Sequence, residues 1–168
     1  MRVARYVVMG VSGAGKTLIA SRLAAALGVA YVEGDEYHPA ANVAKMAAGV
    51  PLDDADRAGW LDALAATIAD ARRDDRGLVL AASVLKREYR DRLRAADPEL
   101  RFILLNAPKS VLADRLEHRR GHYMPPSLLD SQLAILEVPG SDEHAWIIDN
   151  DRPPDAIVAE ILALIAKR

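Results

Sequence analysis

One run, Gly10-Val-Ser-Gly-Ala-Gly15-Lys16-Thr17, constrains this chain more than any other. It follows an apolar stretch, Tyr6-Val-Val-Met9, and opens an apolar-periodic segment, so it joins a strand to a helix. The spacing G-x4-G-K-[ST] in that setting is a phosphate-binding P-loop. Gly10, Gly13 and Gly15 let the backbone wrap an anion without Cβ interference. The successive amides of Ser12, Gly13, Ala14 and Gly15 then point inward, and the helix N-terminus adds about half a positive charge. Lys16 is expected to reach the β- and γ-phosphates, and the Thr17 hydroxyl to hold Mg²⁺. The loop implies a nucleoside triphosphate and leaves the phosphate acceptor open.

Around this motif, 168 residues are expected to make one domain, 1–168, with a full-sized core. A net charge of −2 argues against a polyanion-binding surface, so no nucleic-acid partner is expected. The absence of cysteine excludes disulfides, zinc–thiolate sites and thiol catalysis. The chain starts on a strand, without a leader or an apolar run of ~18 residues, so a cytoplasmic protein with no membrane partner is expected.

Hydrophobic periodicity supplies the rest of the order. Buried strands are predicted at Arg5–Met9, Val29–Glu33, Gly77–Ala82, Leu100–Leu105 and Trp146–Asp149. Helices are predicted at Lys16–Leu27 with Gly28 as its stop, His38–Ala48, Asp54–Arg73, Leu85–Ala95, Ser110–Arg119, Ser127–Glu137 and Pro153–Ala166. The alternation predicts an α/β fold, a five-stranded parallel sheet flanked by helices on both faces, with a nucleotide-kinase-like core. Ligands in such sheets lie beyond the carboxyl ends of the strands.

Those ends carry candidates. Asp35, after the second strand, is placed to accept or orient the proton of an attacking hydroxyl, or else to act as a turn or cap residue beside Gly34. Glu33 is a candidate for holding Mg²⁺ through water. His38 shares that loop, as a substrate hydrogen-bonding residue or a structural one. Arg57 opens a helix amid Asp53-Asp54-Ala55-Asp56, so it is either a surface ion pair or a carboxylate-binding fork. Ser83 and Lys86 open another helix after the third strand. The remaining cations there, Arg87, Arg90, Arg92 and Arg94, read as a solvated basic face. Arg119-Arg-Gly-His-Tyr-Met-Pro-Pro126 breaks the pattern and reads as a mobile lid over about 119–127. Arg115 and Arg119 flank it, as γ-phosphate contacts or as the basic end of a helix. No Asn-Lys-x-Asp run is present and no strand ends in Asp-x-x-Gly, which weighs against a GTPase switch.

Several blocks together resemble the bacterial gluconokinase family. They are the P-loop, Gly34-Asp-Glu-Tyr-His-Pro39, Asn42-Val-Ala-Lys-Met-Ala-Ala-Gly49, Pro51-Leu-Asp-Asp-Ala-Asp-Arg57 with Trp60-Leu61, Ser83-Val-Leu-Lys-Arg-Glu-Tyr-Arg90, and Gly121-His-Tyr-Met124 through Ser131-Gln132 to Leu136-Glu-Val-Pro139. The resemblance covers nearly the whole chain. It implies ATP-dependent phosphorylation of D-gluconate at its 6-hydroxyl, a shikimate-kinase-like P-loop kinase fold with a mobile lid, and a homodimer. Gluconate has a carboxylate at one end and the reacting alcohol at the other. The alcohol would then lie beside Asp35 and the carboxylate by Arg57 or Lys86, with His38, Ser83 and Gln132 as partners for the hydroxyls between. Another small-metabolite kinase, such as one acting on shikimate, is the alternative on the same scaffold.

Overall fold

The structure, a computed structural model, describes residues 4–118 and 126–168. Strands β1 (Arg5–Met9), β2 (Ala30–Glu33), β3 (Leu78–Ala81), β4 (Arg101–Asn106) and β5 (Ala145–Asp149) alternate with helices. These helices are α1 (Lys16–Leu27), α2 (Ala40–Ala47), α3 (Asp54–Arg73), α4 (Arg87–Ala96), α5 (Lys109–Glu117), α6 (Pro126–Ile135) and α7 (Pro154–Ala166). All strand pairs are parallel and run in the order β2-β3-β1-β4-β5.

The central strand shows why helices cover both faces. Side chains alternate along a strand, and every residue of β1 is buried. Tyr6 and Val8 join one core with Ile19 and Leu23 of α1, Leu112 of α5, and Ile157 and Ile161 of α7. Val7 and Met9 join a second core with Trp60, Leu64 and Ile68 of α3 and Leu93 of α4. Two apolar faces on one strand demand two helical layers. The predicted fold is therefore found, with α1 and α3 at the predicted bounds. Gly28, at φ 69°, stops α1 as expected.

Two predicted features change. The helix expected over His38–Ala48 is the shorter α2, and a 3-10 turn at Gly34–Tyr37 precedes it. Pro39 caps α2 from outside instead of entering it. The basic face expected on α4 is broken by Arg90, which is fully buried. Its Nε and Nη2 donate to the two oxygens of Glu143 at 2.7 and 3.0 Å, and its remaining donors reach the carbonyls of Val84, Leu85 and Glu137. A buried guanidinium tolerates its desolvation only when paired and hydrogen-bonded in this way. Burial alone would raise the Glu143 carboxyl, but Arg90, the Gly140 amide and Arg94 overcome it and hold the group near 2. No helix among the described residues is long and apolar enough to cross a membrane.

Candidate active site

A cavity of about 570 Å³ opens at the carboxyl ends of β1, β2 and β3, within the range of small-molecule sites. The P-loop forms one wall. Gly13 has φ 85°, and a Cβ there would come within 2.8 Å of the Leu112 carbonyl oxygen, so only glycine fits both the conformation and the space. Gly15, at φ 82°, lines the cavity, and a Cβ there would meet nothing within 4 Å. The loop thus keeps a glycine-dependent backbone conformation at the cavity wall, which suits an anionic phosphate chain. Ser12, Lys16 and Thr17 also line the cavity. Gly10 and Ala14 lie behind the wall, packed against each other and against Leu105. Lys16 Nζ donates across the loop to the Val11 carbonyl at 3.1 Å.

Thr17 connects the loop to the end of β2. Its hydroxyl donates to Glu33 Oε2 at 2.5 Å, and Tyr31 donates to the same oxygen at 2.5 Å. Donating its proton to Glu33 leaves a Thr17 lone pair for a hard cation. The pair supplies oxygen donors of the kind Mg²⁺ takes alongside phosphate oxygens and water. Glu33 itself is off the cavity wall, which suits the indirect role expected of it.

The β2 end also carries Asp35. Glu33, not Asp35, accepts the capping hydrogen bond of the 3-10 turn, from the Asp35 amide at 3.4 Å. The Asp35 side chain is exposed and lines the cavity. Gly34 sets this geometry by steric necessity: a Cβ would lie 2.4 Å from the Ala81 carbonyl oxygen. The Gly34 carbonyl accepts the Trp60 indole N–H at 2.8 Å, and His38 stacks on Trp60 with ring centres 4.4 Å apart.

The protonation of His38 follows from its neighbours. The Asn42 amide nitrogen donates to the Asp56 carbonyl at 2.8 Å and lies 3.2 Å from His38 Nδ1. Nδ1 therefore accepts and Nε2 carries the proton. Burial lowers the imidazole below its ordinary value, Asp35 opposes this, and Arg57 reinforces it.

Arg57 stands where the start of α3 puts it. Asp53 and Asp56 form a reciprocal capping box, with Asp56 N to Asp53 Oδ1 at 2.7 Å and Asp53 N to Asp56 Oδ2 at 3.0 Å. Those carboxylates are taken by the cap and by Lys45, so the surface ion pair is not formed. Arg57 instead donates to the Tyr89 hydroxyl at 3.0 Å and lines the cavity. Ser83 lines it too, beside Val84 and Leu85, whose carbonyls Arg90 holds. Lys86 does not line it: its Nζ is drawn to Asp54 at 3.0 Å.

The far wall comes from α5 and α6. Gln132 accepts the Ser12 amide at 2.7 Å, tying α6 to the P-loop. Arg115 donates to the Asn150 carbonyl at 2.6 Å and lines the cavity. Asn150 in turn donates its amide to the Ala14 carbonyl, bracing the loop from the end of β5. Arg119 and the lid positions 119–125 lie outside the described residues; Ser127 belongs to α6. Sequence reasoning missed Tyr31, Tyr89, Arg90 and Asn150 as organising residues. Tyr89, Arg90 and Asn150 reach partners 32 or more positions away, which local periodicity does not encode, although Tyr89 and Arg90 fall in a block quoted for the family resemblance; Tyr31 meets Glu33 two positions on along one strand face, a spacing legible in the sequence.

Comparison with known proteins follows the same lines. Residues 6–139 match the family model described as an AAA domain. The gluconokinase of Gluconobacter oxydans (strain 621H) is 48% identical over 156 residues, covering 93% of this chain and 88% of that protein. The crystal structure of a gluconokinase from Sinorhizobium meliloti 1021 superposes with a TM-score of 0.90 at 42% identity, covering 99% of this chain and 93% of that one. A shikimate kinase structure from Bacteroides thetaiotaomicron, 17% identical, superposes at 0.72 over 97% of this chain and 98% of that one, which extends the likeness to the P-loop kinase fold alone.

Proposed function

The chain belongs to the gluconokinase family, and from that premise we propose a division of labour among its residues. The protein is a kinase that phosphorylates D-gluconate with ATP, giving 6-phospho-D-gluconate and ADP. Shikimate as acceptor is not favoured, since that likeness stops at the fold.

One observation carries the assignment of roles: the P-loop, Asp35 and Arg57 border a single cavity. The P-loop amides and Lys16 hold the triphosphate, with Arg115 near its far end. Asp35 accepts the proton of the gluconate 6-hydroxyl as that oxygen bonds to the γ-phosphorus, and the bond to the β,γ-bridging oxygen breaks. Arg57 receives the substrate carboxylate in a two-pronged contact. Ser83, His38 and Gln132 meet the intermediate hydroxyls, with His38 donating from Nε2–H. When bound, Mg²⁺ neutralises charge developing on the phosphates. Thr17 would hold it, and Glu33 would orient the Thr17 hydroxyl.

The remaining roles extend this reading. In this reading the lid positions 119–125 exclude water so that transfer outruns hydrolysis, and Arg119 stabilises the transferring charge. The 168 residues work as one domain in a cytoplasmic homodimer without a nucleic-acid partner.

Coupled turnover tests the central step. Asp35→Asn should lower kcat by at least about 100-fold, within the range for general-base contributions, with modest change in either KM. An unchanged kcat would remove Asp35 from the mechanism. Turnover of shikimate but not of gluconate would overturn the substrate.

A further inference from the structure

Tyr89 stands on α4 with 3% of its surface exposed, and its hydroxyl is shared between two charged groups. Arg57 Nη1 donates to it at 3.0 Å, and the Arg57 guanidinium lies 5.4 Å from the ring centre. A guanidinium only donates. The phenol oxygen therefore accepts from Arg57 and sends its own proton elsewhere. It sends it to Asp54 Oδ1 in a short hydrogen bond. Burial and Asp54 together hold the phenol above its ordinary range, so it keeps that proton. The same Asp54 oxygen accepts from Lys86 Nζ at 3.0 Å. The chain from Arg57 through Tyr89 to Asp54 thus has one direction, fixed by donor chemistry.

Lys86 and Asp54 neutralise each other. Arg57 meets a neutral phenol, and among the described residues no carboxylate stands within ion-pair distance of it. Lys16 of the P-loop and Arg115 of α5 also line the cavity, so Arg57 is the cation left on the wall shared with Asp35 and Ser83, matching the single carboxylate of an aldonate. A long arginine side chain otherwise samples many rotamers, and ordering it opposes binding. Contact with the Tyr89 ring and hydroxyl removes that freedom beforehand.

We propose that Tyr89, anchored by Asp54, is a positioning residue that aims Arg57 at the acceptor carboxylate and so sets the enzyme's preference for a sugar acid. This rests on the reading of Arg57 as the carboxylate's receptor. It also explains why Lys86, the more obvious cation beside the third strand, is not that receptor: it completes the anchor.

A double-mutant cycle on the full chain tests this. Tyr89→Phe keeps the ring and removes the hydroxyl. It should lower kcat/KM for gluconate about tenfold, the order of one hydrogen bond to a charged group. The loss should lie in KM for gluconate, while KM for ATP stays within about twofold. In an Arg57→Gln background the same change should have an effect of under about twofold, because its route of action is gone. Asp54→Asn, an exposed position, should repeat the Tyr89→Phe pattern more weakly, and carries the test should Tyr89→Phe not fold. An equal Tyr89→Phe effect in both backgrounds, or a parallel loss in kcat and both KM values, overturns the proposal. Arg57→Gln weakening gluconate while Tyr89→Phe and Asp54→Asn leave it untouched overturns this inference alone. Arg57→Gln leaving gluconate untouched overturns the reading of Arg57 beneath it.

Discussion

Gly34→Ala should disable catalysis more than it disables folding. Gly34 is buried just past the end of β2, which runs parallel beside β3. An added Cβ would lie 2.4 Å from the Ala81 carbonyl oxygen and 3.1 Å from Ala82 Cβ. Reaching the 3.0–3.4 Å of tight but tolerable contact requires a retreat of about 0.6–1.0 Å. Ala81 cannot supply it, because β3 is paired on both sides, with Val8 of β1 and Glu33 of β2. The turn carrying Asp35 must therefore move, and the 2.8 Å bond from Trp60 to the Gly34 carbonyl stretches with it. Overpacking of this kind costs about 1–3 kcal/mol, which for a chain of this size lowers Tm by about 2–4 °C per kcal/mol. A base displaced by up to about 1 Å loses much more: kcat should fall by about 10- to 100-fold. KM for ATP should hardly change, since the P-loop belongs to β1 and α1. The assay is steady-state coupled turnover beside a thermal melt of the same preparation. A folded variant with the expected drop in Tm and a kcat within twofold of the parent would refute the link between Gly34 and Asp35.

Three further outcomes follow from other contacts. Lys16→Ala should abolish ATP-dependent turnover while the circular dichroism spectrum stays that of the parent; retained turnover would mean the loop does not hold the triphosphate. Glu143→Gln leaves Arg90 buried without its counter-charge and should cost about 3–5 kcal/mol in denaturant unfolding. In the parent, the Glu143 contribution is present above its unfolded value of 4.5 and is lost as pH falls towards about 2, so the variant's acid limb should be flatter over that window. His38 runs the other way in charge. Its folded value lies below 6.5, so the unfolded chain takes up the proton first, and stability falls as pH drops below 6.5. A His38→Gln chain should lose that part of the pH dependence, and an unchanged melt-versus-pH curve would exclude it.

Local patterns made much of the molecule legible. The P-loop spacing, the apolar run Tyr6–Met9 and the 3.6-residue stripe of Asp54–Arg73 each act within one element, so the order and type of elements follow from neighbours in the chain. The turn at Gly34–Tyr37 did not follow, because its shape answers to Ala81 and Trp60, residues far along the chain. Asp35 could be named as a strand-end carboxylate, but its freedom from capping depends on Glu33 taking that role.

The cations show the division most clearly. Arg57, Lys86 and Arg90 are each a basic residue at or near the start of a helix, and periodicity treats them alike. Packing sends Lys86 to Asp54, Arg90 into the core against Glu143, and Arg57 onto the cavity wall against Tyr89. Sequence by itself determined the loop that grips phosphate and the strand ends where an acceptor must sit, because those depend on backbone conformation and short-range pattern. Which charge is neutralised and which is left for substrate was decided only by the tertiary structure. Ion pairs form between residues 32 and 53 positions apart, and only the fold brings them within reach.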